Sequence, residues 1–343
     1  MSQRPPLRTA AIGLDHPHVF GMAKAVVEAG AELVAYFPEQ ASLAPVFAKL
    51  HPNARPARTA AEILEDPRVA LVLGAGINCE RAPLGVQVMR HGKDFFVDKP
   101  GVTELAQLDE VRRVQAETKR MYFVCFSERF ENRATLKASE LVRAGAIGRV
   151  LHVIGMGPHR LNAAHRPGWF FERAKYGGIL ADIASHQMDQ FLHFTGSRTA
   201  RVVASQVANH HHPEHPELED FGEALLEGEG ASGYLRVDWF TPDGLPVWGD
   251  GRLVLLGTEG TLEVRKYVDP EGRPGGDHVF LVDGKGTRYL DCQGVELPLG
   301  RLLLEDVANR TETAMSQAHC FAACELALRA QAQARRLAPR AER

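Results

Sequence analysis

The chain has 343 residues, of which 45% are hydrophobic, and a formal net charge of -3 without long runs of like charge. Because single hydrophobic cores rarely grow past about 250 to 300 residues, this length predicts two domains. The balanced charge argues against a nucleic acid or an anionic membrane as the partner, so we expect a small molecule.

The cysteines and the N-terminal residues predict a cytoplasmic protein. Five scattered cysteines without C-x-x-C spacing are typical of thiols in a reducing compartment. Residues 1–6 lack the apolar core of a signal peptide, and no apolar run approaches the ~18 residues of a membrane span.

The first predicted domain, residues 1–124, alternates short apolar runs with helical stretches. The runs predicted as strands are residues 9–12, 33–37, 70–73, 95–97 and 121–126. Strands that alternate with helices predict an α/β domain with a parallel sheet that is covered on both faces. The ligand crevice of such a sheet lies beyond the carboxyl ends of its strands, so we expect functional residues just after strands.

The loop after the first strand stands where a dinucleotide-binding protein has G-x-G-x-x-G. Only Gly13 matches, because Asp15 and His18 occupy the second and third glycine positions, and this loop alone would not indicate a nucleotide site. After the second strand, Glu39 is the candidate to bond the adenosine ribose. No arginine follows within several residues, which favours NAD over NADP.

The second predicted domain, residues 125–343, is α+β. Its predicted strands recur at regular spacing and indicate an open, mainly antiparallel sheet; they are residues 150–156, 201–208, 221–226, 233–239, 252–256, 261–265 and 279–282. Two helical stretches, 302–311 and 313–335, end the chain. The aromatic and basic loop between residues 156 and 176 is long, which indicates a functional loop.

A helix predicted after Gly177-Gly178 and ended by Gly196 carries the most distinctive polar pattern. Asp182, His186 and Asp189 are spaced i, i+4 and i+7 and would lie on one face, opposite an apolar face. An imidazole with a pKa of about 6.5 can exchange protons near neutrality. Such a stripe is more often a solvated face than a catalytic one. The preceding Gly177-Gly178 favours catalysis, because glycines let another backbone or a ligand approach closely.

The segment His210–Glu217 has the composition of a metal site, with four imidazoles and two carboxylates in eight residues. Ligands that follow one another directly point in different directions on an extended chain, and two prolines disturb any regular spacing. We therefore predict no metal site.

Several motifs together resemble the Gfo/Idh/MocA family of oxidoreductases, and the similarity runs through nearly the whole chain. Singly each motif is weak, and together they are specific. They are Asp98-Lys99-Pro100, where the family has Glu-Lys-Pro; Gly177-Gly178 before D-x-x-x-H-x-x-D; Ser127-Glu128-Arg129-Phe130; residues 145–150; and Gly257-Thr258-Glu259-Gly260.

The resemblance implies a Rossmann domain joined to an open-sheet domain, with NAD(P) passing hydride to or from a sugar, inositol or related polyol. It also implies that Lys99 and His186 flank the reacting carbinol while Asp182 contacts or orients the substrate. This agrees with the chemistry, since hydride transfer needs a base for the hydroxyl proton and a cation for the developing alkoxide. The predicted cofactor-binding residues are Gly13, Asp15, His16, His18, Glu39, Asn78, Asp98 and Lys99. The predicted substrate contacts are Arg129, Arg160, His165, Trp169, Tyr176, Asp182 and His186.

Two other functions remain open from the sequence. The altered glycine loop is compatible with a catalytically silent sensor that binds a nucleotide and a sugar-like effector. The second alternative function is that of an enzyme that holds NAD tightly and uses transient oxidation for elimination, hydrolysis or epimerisation. The open sheet also predicts a homo-oligomer, a dimer or tetramer, because its uncovered face needs a partner.

Overall fold

The structure, a computed structural model, describes residues 5–39 and 43–338. The chain divides into two compact units. The first unit comprises residues 1–125 and 298–321, and the second comprises residues 126–297 and 322–343. The first division lies one residue from the predicted domain boundary, whereas residues 298–321 join the first unit instead of the second.

The first unit contains a six-stranded sheet whose pairings are all parallel. Its strands are β1 Arg8–Leu14, β2 Glu32–Phe37, β3 Arg55–Pro56, β4 Leu71–Ala75, β5 Asp94–Asp98 and β6 Tyr122–Cys125. The order β3-β2-β1-β4-β5-β6 is that of a Rossmann fold, as predicted. β4 and β5 are buried throughout, as expected of a parallel sheet covered on both faces.

Helices cover this sheet between its strands. They are α1 His18–Glu28, α2 Ala44–Leu50, α3 Ala61–Leu64, α4 Arg81–Arg90 and α5 Leu105–Thr118, with a 3₁₀ turn at Asn78–Glu80. Edge strand β3 is absent from the predicted elements, because its two residues show no periodicity and include a proline.

The second unit contains a larger sheet that is mainly antiparallel, as predicted. Its strands are β7 Val150–Pro158, β8 Ala200–Ala208, β9 Phe221–Gly228, β10 Ala231–Asp238, β11 Arg252–Gly257, β12 Gly260–Arg265, β13 His278–Asp283 and β14 Gly286–Asp291. They lie in the order β14-β13-β12-β11-β7-β10-β9-β8, and among them only β7 and β10 pair in parallel.

Helices of the second unit lie along the chain between β6 and β8, and several of them contact its sheet. They are α6 Ser127–Phe130, α7 Arg133–Arg143, α8 Arg173–Tyr176, α9 Ile179–Asp182 and α10 Ser185–Thr195. α7 contacts β12 and β13, and α10 contacts β7 and β10. The predicted long loop before α9 contains α8 and two 3₁₀ turns, Ala163–His165 and Gly168–Phe171.

The chain ends with α11 Leu299–Asn309, α12 Gln317–Ala332 and β15 Arg335–Arg336, which pairs with β8 in parallel. Residues 298–321 belong to the first unit because they satisfy its buried polar groups. Arg310 Nη1 donates to Asp94 Oδ1 at 2.8 Å, and Gln317 Oε1 accepts the N–H of Tyr122 at 2.8 Å. Within the described ranges, no helix is long and apolar enough to cross a membrane.

Candidate active site

The predicted cofactor-binding residues of the first unit share one edge of its sheet. The strands β2, β1, β4 and β5 are adjacent, and their carboxyl ends lie at the same edge. The residues that close or follow these strands are Gly13, Asp15, His16 and His18 for β1, Glu39 for β2, Asn78 for β4, and Asp98 and Lys99 for β5. The strand order reverses between β1 and β4, which is where ligands of such sheets bind.

Gly13 is required by the backbone of its loop. Its φ is 77°, and a Cβ on it would lie 2.9 Å from the backbone of Gly76, in the loop after β4. A side chain would therefore force the two loops apart. The N–H groups of Asp15 and His16 both donate to the carbonyl of Ala75, at 3.1 and 2.9 Å, and hold the loop against β4.

The same loop is acidic where a glycine loop would be neutral. Asp15 is 8% exposed, and within the described residues its Oδ2 has no hydrogen-bond partner. Burial raises the pKa of Asp15 to about 7, and the neighbouring carboxylates of Glu39 and Glu80 add to this effect. Burial and Glu80 also raise the pKa of Glu39. Ionisation of Asp15 and Glu39 is therefore disfavoured beside the Gly13 turn.

Three basic side chains surround the carboxylate of Asp98. His18 Nδ1 lies 2.8 Å from Oδ1, and His16 Nδ1 and Arg81 Nη2 lie 3.1 and 3.0 Å from Oδ2. Burial opposes the ionisation of Asp98, but the charges of His18, Arg81 and His16 outweigh it and hold the pKa of Asp98 well below its usual value. Burial, followed by the neighbouring His18, lowers the pKa of His16 to about 3.

Arg81 fixes the backbone around Lys99. Its Nε donates to the carbonyl of Gly76 at 2.9 Å, and its Nη1 donates to the carbonyl of Lys99. Both side chains are buried, at 1% and 5% exposure. Sequence reasoning did not identify Arg81, because a single arginine at the start of α4 matches no motif.

The predicted helix that carries Asp182 and His186 is two helices, α9 and α10. The hydroxyl of Ser185 donates to the carbonyl of Asp182 at 2.7 Å, and the N–H of His186 donates to the carbonyl of Ile183 at 3.2 Å. Asp182 therefore ends α9, and His186 lies in the first turn of α10.

The polar residues of this stretch are buried and do not form a polar face opposite an apolar one. Asp182, His186 and Asp189 are 5%, 2% and 0% exposed, and α10 is buried on nearly all sides up to Phe194. The solvated face, which is the non-catalytic interpretation of the pattern, is excluded for these residues. The ring of His186 lies edge-on to Phe126, with ring centroids 6.5 Å apart.

The glycine pair before α9 makes room for a protein side chain. Gly178 has φ 93°, and a Cβ on it would lie 2.4 Å from the side chain of Gln331 and 2.8 Å from Arg173. Gln331 Oε1 accepts the N–H of Leu180 at 2.8 Å, and its Nε2 donates to Glu219. The group that approaches Gly178 closely is therefore the side chain of Gln331, not the backbone or ligand that the sequence predicted, and it completes the hydrogen bonding at the start of α9.

Arg129, a predicted substrate contact, forms a buried ion pair with Asp189. Its Nε and Nη2 donate to the two carboxylate oxygens, each at 2.7 Å, and the guanidinium lies 4.0 Å from the ring centroid of Phe130. Both charged side chains are almost fully buried. This bidentate geometry links α6 to α10.

Two further predicted contacts bind the backbone of the second unit. The hydroxyl of Tyr176 donates to the carbonyl of Glu217 at 3.1 Å and accepts the N–H of Glu219 at 3.0 Å, and burial raises its pKa. Arg160 Nη2 donates to the carbonyl of Pro242 at 2.8 Å. These bonds position two loops of the second unit.

Arg166 lies among aromatic rings and was absent from the predicted site residues. Its guanidinium carbon is 4.2 Å from the ring centroid of Phe170 and 5.1 Å from those of Trp239 and Trp248. Burial lowers its pKa to about 10, and the charge of Asp182 opposes this effect. Of the other two predicted contacts, His165 is exposed, and Trp169 is buried against Phe170 with ring centroids 6.0 Å apart. No sequence spacing links Arg166 to Trp239 and Trp248, which come from distant segments.

A polar cavity lies in the second unit beside α10. It is small, with about 10 Å³ of space, roughly enough for one water molecule, and it opens to solvent. Gln187 lines it and is 5% exposed, and within the described residues its Oε1 has no hydrogen-bond partner. Other lining residues are Glu128, Asn132, Gln190, Arg252 and Lys266. Lys266 Nζ lies 2.6 Å from Glu128 Oε1.

Known proteins resemble this chain in sequence and in structure. A sequence profile described as the GFO/IDH/MocA C-terminal domain matches residues 135–263. A curated relative from Bacillus subtilis, scyllo-inositol 2-dehydrogenase (NAD(+)), is 25% identical over 235 residues. That match spans 66% of this chain and 62% of the relative, so less than two thirds of the relative is represented.

Solved structures match nearly the full length. An inferred oxidoreductase from Erwinia carotovora atroseptica is 48% identical, with a TM-score of 0.94, and the match covers 97% of this chain and 100% of that one. Levoglucosan dehydrogenase in complex with NADH has the same fold at 17% identity, with a TM-score of 0.79 and coverage of 96% and 98%. Together with the profile match, these similarities show that the chain belongs to the Gfo/Idh/MocA family.

Proposed function

We propose that the protein is an NAD-dependent oxidoreductase that moves hydride between nicotinamide and a hydroxyl-bearing carbon of a sugar, inositol or related polyol. The observation that carries the proposal is that a chain of this family has Lys99 directly after β5 and a buried Asp182 and His186 in α9 and α10. The relative named scyllo-inositol 2-dehydrogenase (NAD(+)) supports the reaction class and the cofactor.

The carboxyl edge of the first sheet fits a dinucleotide in most respects. Gly13 packs too closely against the backbone of Gly76 for a side chain, and α1 begins at His18 beside this loop, with the N–H groups of His18, Val19 and Phe20 bonded within the chain. Glu39 suits the ribose hydroxyls and would repel a 2′-phosphate, which favours NAD. Asn78 borders the same edge. Asp15 is the departure, because it places a carboxylate where the usual loop has a glycine.

The chemistry proposed for the chain is proton transfer and charge stabilisation. Bound nicotinamide would accept the hydride that leaves the carbinol carbon. His186 takes the hydroxyl proton as the O–H bond breaks, and Lys99 stabilises the negative charge that develops on that oxygen. Asp182 orients the substrate through a neighbouring hydroxyl. In reduction, the same groups return the proton. Lys99 and His186 belong to different units, so their action on one hydroxyl is part of the proposal.

Substrate recognition is proposed to rest on the second unit. Amide, carboxylate and ammonium groups line the small cavity beside α10, and groups of these types bind hydroxyls. Arg166 adds a guanidinium whose position is fixed by three aromatic rings. The side chains of Arg129, Arg160 and Tyr176 bind protein groups, and Arg166 likewise donates its Nε to the carbonyl of Leu161 at 2.9 Å.

The proposal is tested by incubating the purified protein with NAD or NADP and a panel of inositols, pyranoses and glycosides. Reduced nicotinamide is followed by its absorbance. We expect turnover with at least one polyol and a higher kcat/KM with NAD than with NADP. Binding of NAD without turnover on any member of the panel, in either direction, would contradict it.

Two alternative functions give different results in this assay. A silent sensor, which the acidic loop would suit, would bind a sugar-like ligand without any change in nicotinamide absorbance. An enzyme with tightly held NAD would convert its substrate without net reduction of added NAD. Product analysis by mass spectrometry separates these two outcomes.

We also propose a cytoplasmic homo-oligomer. The scattered cysteines support the reducing compartment. Exposed apolar side chains on the sheet of the second unit, Leu225 and Leu256 at 46% and 45% exposure, support association through that face.

A further inference from the structure

We propose that His16, His18 and Asp98 form a binding site for one first-row transition-metal dication of the zinc class. The proposed hydride transfer assigns no task to the two imidazoles. One ligand atom from each residue lies within 4.8 Å of those from the other two. Among the residues that the structure describes, this is the one group of three or more His, Cys, Asp or Glu side chains that converges in this way. Sequence reasoning missed it because Asp98 comes from β5, far along the chain from the β1 loop.

The strongest argument is that an imidazole nitrogen and a buried carboxylate oxygen without a hydrogen bond face each other in this cluster. The N–H of His18 donates to Nδ1 of His16 in a long hydrogen bond of 3.4 Å. The same Nδ1 lies 3.1 Å from Oδ2 of Asp98, and within the described chain this oxygen makes no hydrogen bond. A cation bound by both this nitrogen and this oxygen would give the oxygen a further partner.

The other two contacts of the cluster suit a metal site as well. His18 Nδ1 lies 2.8 Å from Oδ1 of Asp98, and the His16 and His18 rings stand edge to face with centroids 4.2 Å apart. Arg81 supports the carboxylate from 3.0 Å away, and such second contacts commonly orient a metal-binding carboxylate. His18 is 42% exposed at its side chain, which leaves a path for an ion to enter.

The surrounding charge favours a dication. The acidic groups at this edge of the sheet are Asp15, Glu39, Glu80 and Asp98, and they outnumber the basic groups Arg81 and Lys99. Two imidazoles and one carboxylate are donors that zinc and its first-row neighbours accept, with one coordination position or more left open. Mg²⁺ prefers oxygen ligands in octahedral geometry and is expected to bind poorly.

The test is calorimetric titration of the chelator-treated full-length protein with ZnCl₂ or MgCl₂. We expect saturable binding of one Zn²⁺ per chain and no saturable Mg²⁺ binding over the same concentrations. His18→Gln should weaken Zn²⁺ binding at least about tenfold, since it removes one of three ligands. The matched control is His211→Gln, in the histidine-rich segment of the second unit, which should change the affinity less than about twofold.

A second readout guards against a misfolded variant. Zn²⁺ should raise the thermal unfolding midpoint of the wild type and of His211→Gln, and it should raise that of His18→Gln and Asp98→Asn much less. Circular dichroism of His18→Gln and Asp98→Asn shows whether these two variants fold. Equal Zn²⁺ affinity in wild type and His18→Gln would overturn the site. Loss of binding in His211→Gln would place the metal on the histidine-rich segment and overturn it equally. Neither readout uses a nucleotide or a substrate, so the result is independent of the proposed dehydrogenase activity.

Discussion

Breaking the buried Arg129–Asp189 pair should strongly destabilise the second unit. Asp189→Asn keeps the shape of the side chain but removes the charge that compensates the guanidinium, which is 7% exposed. Removing one partner of a buried, bidentate ion pair costs about 3 to 5 kcal/mol of unfolding free energy. Both oxygens of Asp189 are bonded at 2.7 Å, so we expect a loss in this range.

The assay is urea unfolding followed by tryptophan fluorescence. All three tryptophans, Trp169, Trp239 and Trp248, lie in the second unit, so the signal reports on the unit that contains the ion pair. The matched control is Glu140→Gln, which breaks a pair with Lys137 on the surface of α7 and should cost less than about 0.5 kcal/mol.

A double-mutant cycle separates this ion pair from other effects of the substitution. Replacing both partners by apolar residues, Arg129→Met with Asp189→Leu, removes the uncompensated charge as well as the attraction. The double variant should therefore be more stable than the sum of the single losses predicts, by at least about 1 kcal/mol. A loss below about 1 kcal/mol for Asp189→Asn would refute the reasoning and reopen a substrate-binding role for Arg129.

The remaining predictions concern a glycine, an arginine and the open sheet face. Gly178→Ala should lower the free energy of unfolding by about 1 to 3 kcal/mol in the same urea assay, because the φ of Gly178 is 93° and an added Cβ would meet Gln331. In the control Gly284→Ala, an added Cβ has nothing within 4 Å, so the free energy of unfolding should change by less than about 0.5 kcal/mol. In steady-state kinetics with the polyol substrate, Arg166→Met should raise KM about tenfold or more and change kcat less. An unchanged KM would show that Arg166 does not bind the substrate. Light scattering at micromolar concentration should give the mass of a dimer or tetramer, and changing Leu225 and Leu256 to Glu should lower that mass; a monomeric wild type would contradict association.

The elements of both sheets were largely predictable, because their strands show clear hydrophobic patterns. The buried parallel strands of the first unit appear as short apolar runs, and the strands of the second unit recur at regular spacing. The membership of residues 298–321 was not predictable. It depends on hydrogen bonds that Arg310 and Gln317 make to residues of β5 and β6, and the residue pattern within the segment does not predict such distant contacts.

The candidate site was predictable only where residues belong to motifs. Lys99, Asp182 and His186 were identified from short motifs that resemble the family. The break between α9 and α10 was not predictable from helical spacing, since it depends on the Ser185 hydroxyl bonding the carbonyl of Asp182. Arg81 and Arg166 were missed because their partners come from other strands and loops.

The central claim is that His186 and Lys99 act on one substrate hydroxyl. The most direct measurement is kcat for His186→Ala and Lys99→Ala on the polyol found in the substrate panel, with NAD binding measured in parallel. General acid-base assistance contributes about 10² to 10⁴ in rate, so each substitution should lower kcat at least about a hundredfold while NAD binding persists. Asp182→Asn should cost less and act mainly through KM. A His186→Ala variant with near-normal kcat and an unchanged pH profile would show that the histidine only packs in α10 and would contradict the mechanism.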